Sequence, residues 1–175
     1  MLTLPRSSTE KLLGCSFPEK YTVLGVDTAS RSGYSKIIVD KKNIKIDTGI
    51  ISIDSKDKYF KFNQMIPTFM DLTKGCNCVI VEDVFMKFNV NVHSFLARIG
   101  MIVYMSAKLN NVSAVEFVWA SSARKALGLH GNAKKDIVQK EFCEKLNLKL
   151  VDEDIIDAIV LSFYGLIKKG EIFSD

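Results

Sequence analysis

The sequence lacks any apolar run approaching the roughly 18 residues of a membrane-spanning helix, and it holds only four cysteines and two histidines in 175 residues. The first absence excludes a helix threaded through a bilayer. The second excludes a disulfide framework or a paired zinc site, because Cys15, Cys76, Cys78 and Cys143 have neither the density nor the spacing for one. Free thiols in a reducing cytoplasm are expected. Cys76 and Cys78 form an isolated C-x-C on the approach to a strand and, with no second pair nearby, read as loop thiols. The run Leu12-Leu13-Gly14-Cys15 superficially resembles a lipid-attachment signal, yet Pro5 to Lys11 is polar where such a signal needs a continuous apolar stretch. No export is implied. There is no internal repeat or low-complexity tract, and residues 1–20 read as a loose extension before a single domain spanning 21–175.

What is present suits one well-buried core: 47% of the residues are hydrophobic, and a formal net charge of +4 permits a polyanionic partner without demanding one. The run from Thr22 to Asp27 (TVLGVD) predicts a buried central strand that delivers Asp27 to its open end. Two β-rich runs, Tyr34 to Asp40 and Ile44 to Ile53, are joined by Lys41, Lys42 and Asn43 and predict an antiparallel meander. Phe62, Met65, Ile66, Phe69 and Met70 recur at three- and four-residue spacing, predicting a helix over 58–72 that Pro67 bends. Cys78 to Val81 then repeats the first pattern, a buried strand ending in an acid, Glu82. A helix over 90–109 and a strand over 112–118 complete a crossover unit, and helices follow at 120–127, 134–146 and 154–168. This order is α/β, with a central mixed five-stranded sheet flanked by helices.

Two acids at the ends of central strands and a pair on a late helix define the candidate chemistry. Asp154 and Asp157 are three residues apart, so both project from one helix face. Four gathered carboxylates repel unless cations neutralise them, and hard oxygen ligands suit Mg²⁺ or Mn²⁺. Two such ions activate a water and stabilise the leaving oxygen of a phosphodiester. The helix pair also has a plain explanation, since acids favour a helix N-terminus through the dipole and capping.

Three segments carry a family resemblance: VLGVDTASRSGYS at Val23 to Ser35, VIVEDVFMKFN at Val79 to Asn89, and DIIDAI at Asp154 to Ile159. In order and separation they resemble the RuvC family of the ribonuclease-H-like superfamily, and ASSARKALGLHGNAKKDIV at Ala120 to Val138 resembles that family's lysine-bearing segment. The resemblance implies a ribonuclease-H-like fold and an endonuclease that resolves Holliday junctions and other branched DNA. Asp27, Glu82, Asp154 and Asp157 correspond to the catalytic acids holding two Mg²⁺ ions, with Mn²⁺ able to substitute. Phe85 corresponds to an aromatic that stacks on bases at an opened junction. Lys125 and Lys135 correspond to lysines near the scissile phosphate; a shift of one residue transfers those roles to Arg124 and Lys134, and all four are candidate DNA contacts. As bare chemistry the same cations are a solvated helix face, and His130 in the intervening loop is incidental.

The family acts as symmetric homodimers, matching a two-fold substrate. The helix over 90–109 is more apolar than one buried face requires and is the candidate contact, although a core helix reads the same way. The N-terminal extension before Thr22 and the chain's end soon after the last helix are unlike longer bacterial relatives, and the Lys- and Asn-rich character is similar to phage versions, which implies a bacterial host cytoplasm and puts a branch-migration motor partner in doubt. The turn from Thr28 to Gly33 also lacks the glycine that many relatives place two residues after the first acid. Rival readings are a ribonuclease-H-like nuclease acting on hybrids or flaps, an actin-like or sugar-kinase ATPase, which needs a second phosphate loop and a much longer chain, and a non-catalytic branched-DNA binding protein.

Overall fold

The computed structural model describes residues 1–84, 89–131, 135–149 and 152–172. Its central strand β2 (Tyr21–Asp27) is buried on both faces because its side chains serve two apolar layers in alternation. Val23 enters one layer with Ile80, Ile159 and Phe163, whereas Leu24 and Val26 enter the other with Met65, Phe69, Ile99 and Val103. The first layer is covered by α6 (Glu153–Ile172), α4 (Ala120–Ala126) and α5 (Lys135–Leu146). The second is covered by α2 (Lys58–Thr73) and α3 (Val90–Leu109).

The meander of β2, β3 (Arg31–Val39) and β4 (Asn43–Ser52) is antiparallel, and β2, β5 (Cys78–Glu82) and β6 (Ala114–Val118) are parallel, so the sheet is mixed as expected. Among the described residues it has six strands in the order β1-β4-β3-β2-β5-β6 rather than five. The added strand is β1 (Leu2–Pro5), which pairs Leu2 with Ile46 and Leu4 with Ile44 on the outer edge of β4. Residues 1–20 are therefore not a loose extension. Helix α1 (Arg6–Leu13) follows β1, and the Arg6 guanidinium bonds both Glu10 and the Phe17 carbonyl, which seats Phe17 in the core.

Asp57 caps α2 by accepting from Tyr59 N and Phe60 N, and the helix runs through Pro67 to Thr73 because its buried stripe of Phe62, Met65 and Phe69 continues on both sides. Asn89 caps α3 in the same way, toward Asn91 N and Val92 N. Cys76 and Cys78 are core residues rather than loop thiols, at 8% and 5% exposure, and burial pushes their thiols up to about 11 and about 12.

Helix α6 lies closer to the sheet than side chains ordinarily allow. A methyl group at Gly25 would lie 2.6 Å from Ser162 N, and one at Gly33 would lie 2.5 Å from the Asp154 carbonyl carbon. Glycine at both positions lets backbone meet backbone, and the buried hydroxyls of Ser35 and Ser162 bond across the contact at 2.9 Å.

Candidate active site

The parallel register of β2 and β5 pairs Val26 with Val81, so the next residues, Asp27 and Glu82, end adjacent strands side by side. The Thr28 hydroxyl ties the two strand ends by donating to the Glu82 carbonyl at 3.2 Å. On the other side Asp27 pairs with Gly33, the residue whose missing side chain admits the backbone of Asp154. The ends of β2 and β5 and the start of α6 thus meet at one end of the sheet, and Asp157 follows one turn along α6.

Their side chains are disposed differently. Asp27 is 4% exposed, while Glu82 is half-buried. Asp154 forms an ion pair with Arg31, whose guanidinium also grips Asp152 through Nη2 to Oδ2 at 2.5 Å and Nη1 to Oδ1 at 3.3 Å. That contact holds the Asp152 carboxyl below the usual carboxylate range, and Asp152 in turn accepts from Asp154 N and Ile155 N, capping α6. Asp157, 4% exposed, faces Arg124, 8% exposed, at 3.0 Å. The Arg124 Nε is buried with no partner among the described residues.

Two of the four carboxylates therefore sit against guanidinium groups, and among the described residues no three acid, histidine or cysteine side chains converge into a metal-holding group. The donor chemistry nevertheless fits hard divalent cations: the site offers carboxylate oxygens, and arginines already stand as counter-charges beside two of them.

Of the expected DNA contacts, Lys125 is exposed in the last turn of α4, whereas Arg124 points inward to Asp157. Lys135 begins α5, with its side chain outside the described residues; Phe85 and Lys134 also lie outside them. His130 is exposed. Sequence reasoning missed Arg31 and Asp152. The usable signal for Asp152 was an acid two residues before Asp154 at a helix start, whereas nothing local links Arg31 to residues more than a hundred positions away.

A mixed sheet with an antiparallel meander, parallel strands delivering acids to one end, and a closing helix bearing further acids defines a ribonuclease-H-like nuclease fold. The family model described as crossover junction endodeoxyribonuclease RuvC matches residues 23–164, and the chain belongs to that family. Among solved structures, Thermus thermophilus RuvC matches with a TM-score of 0.69 at 16% identity over 82% of this chain and 92% of that one. The structure of T. thermophilus RuvC in complex with Holliday junction substrate matches with a TM-score of 0.64 at 12% identity, over 82% and 91% of the two chains. No curated protein matches the chain in sequence. Among the described residues no helix is long and apolar enough to cross a membrane.

Proposed function

We propose that this chain resolves Holliday junctions and other branched DNA by metal-dependent phosphodiester hydrolysis, acting as a homodimer in the cytoplasm. The observation that carries the reading is the family match across 23–164, which spans the strand ends of Asp27 and Glu82 and the start of α6. Asp27, Glu82, Asp154 and Asp157 would hold two Mg²⁺ ions, with Mn²⁺ as a substitute. Bound there, the metals supply charge for water activation and for the leaving oxygen. Lys125 and Lys135 are assigned to the scissile phosphate, Lys134 to a neighbouring one, and Phe85 to an unstacked base. Arg124 serves this reading as an internal counter-charge to Asp157 more naturally than as a phosphate contact.

Support for two copies comes from an exposed groove of about 320 Å³ between α2 and α3, lined by Ile66, Met70, Met101, Ile102, Met105 and Leu109. Its open methionines and leucine suit an apolar self-contact. The domain reading is a single nuclease unit, and phage-like composition favours action without a dedicated motor protein.

The test is incubation of purified protein with a labelled immobile four-way junction, a matched duplex and an RNA/DNA hybrid, each with Mg²⁺, Mn²⁺ or chelator. Paired metal-dependent nicks confined to the junction are expected. Junctions that stay intact despite tight binding would overturn catalysis in favour of a binding protein, and cutting of the hybrid alone would move the substrate class. Asp27→Asn should abolish cutting and leave junction binding intact.

A further inference from the structure

The sequence contains one tryptophan, Trp119, and it stands 55% exposed at the same end of the sheet as the acids. In the register of β5 and β6, Glu82 pairs with Val118, which places Trp119 one residue beyond the partner of a candidate catalytic acid. So large an apolar ring left half in water is unusual for a residue type that is ordinarily well buried.

Trp119 is also held in place. Its backbone is the N-cap of α4, with its carbonyl accepting from Ser122 N at 2.9 Å and Ala123 N at 3.1 Å. Its indole Nε1 donates to Asp83 Oδ2 at 3.0 Å, and Asp83 is itself tied to β6 by its backbone N, which donates to the Val118 carbonyl at 2.9 Å. The polar edge of the ring is thereby satisfied by the residue that follows Glu82, while more than half of the tryptophan's surface stays exposed. An anchored, half-exposed aromatic ring one residue beyond the partner of Glu82 offers an unpaired nucleobase a stacking surface beside the proposed cleavage site.

We infer that Trp119 is a base-stacking platform, binding an unpaired nucleobase of the branched DNA beside Glu82 and so positioning the strand to be cut. The inference rests on the resolvase reading above. Its role is separate from that assigned to Phe85, because Trp119 is carried by β6 and α4 rather than by the segment after β5.

The single tryptophan supplies its own reporter. The full chain in chelator is titrated with an immobile four-way junction, a single strand and a blunt duplex, with indole emission and acrylamide quenching followed beside a gel-shift assay. Emission should fall, and acrylamide access should drop, at the concentrations at which the junction shifts, with a smaller change for the duplex. Trp119→Ala should weaken junction binding by about 10-fold, Trp119→Phe should restore most of that loss, and Trp119→Leu should not, since only an aromatic face stacks. Should Trp119→Ala fail to fold, the wild-type titration and the phenylalanine and leucine pair still decide. Binding of the junction with unchanged emission and unchanged acrylamide access overturns this inference alone. Failure of the wild type to bind any DNA overturns the resolvase reading and the platform with it.

Discussion

Gly33 is where a single methyl group should move the site. A Cβ there would stand 2.5 Å from the Asp154 carbonyl carbon and closer still to its oxygen, whereas ordinary contact begins at 3.4 Å, so the start of α6 must retreat by about 1 Å or more. The obstacle is backbone and cannot rotate aside. Overpacking of this kind costs about 1–3 kcal/mol, offset by the roughly 0.5–1 kcal/mol that alanine gains over glycine inside a strand. At about 2–4 °C per kcal/mol for a chain of this size, the net of roughly 0–2.5 kcal/mol means that Gly33→Ala should lower the unfolding midpoint by up to about 10 °C. The functional loss should be larger than the thermal one, because a misplacement of about 1 Å at a reacting centre can cost on the order of 100-fold in rate. Gly165→Ala is the companion variant, since it also loads α6 but meets only side-chain carbons of Ile80 and Val23, at 2.9 Å, more than two turns past Asp154. Thermal unfolding by circular dichroism and single-turnover junction cutting, run well below both midpoints, measure the two effects. A Gly33→Ala protein with the wild-type midpoint and rate would refute the claim that bare backbone contact sets the position of Asp154.

Breaking the buried pair with Arg124→Met should cost more in urea unfolding than the ~1 kcal/mol of a surface bridge, because both partners are almost fully buried where they meet at 3.0 Å. A loss below about 1 kcal/mol would reduce the pair to the rank of a surface bridge. Arg31 is half exposed, so Arg31→Gln should shift the same curve by less than about 1 kcal/mol; a shift several times larger would mean that its grip on Asp152 and Asp154 is structural. At pH 8 a thiol reagent should leave Cys76 and Cys78 unmodified until the chain is unfolded, and rapid labelling of either in the native state would contradict their burial. Their folded pKa values lie above the ordinary value of 9.0, so protonated thiols contribute stability that is complete below pH 9 and declines as pH rises through about 11 and 12. Alkaline unfolding of a Cys76→Ala, Cys78→Ala double variant should therefore begin at higher pH than that of the wild type.

The strands carrying Asp27 and Glu82 were legible because each is an uninterrupted apolar run that stops at an acid, the pattern of a strand buried on both faces. That these strands lie in parallel beside one another was expected from the crossover unit of β5, α3 and β6, whereas the pairing of Val26 with Val81 that aligns the two acids is set by the fold. Strand β1 was not legible: four residues ending in proline carry little pattern of their own, and their partners on β4 lie some forty positions away. The two arginines illustrate another limit. Charge in a sequence carries no direction, and only the fold turns Arg124 inward to Asp157 while its neighbour Lys125 stays in water. Trp119 was passed over for a related reason, since a lone tryptophan after a strand reads as core until its exposure is known.

Helix α6 comes after every strand in the chain, yet it furnishes Asp154 and Asp157 and packs against β2 and β3. A growing polypeptide can therefore form the whole meander and still have only half of the acids. A chain cut short before α6 would lack both Asp154 and Asp157 together with the helix that covers β2 and β3, so the proposed acid site would be incomplete until the final helix is in place.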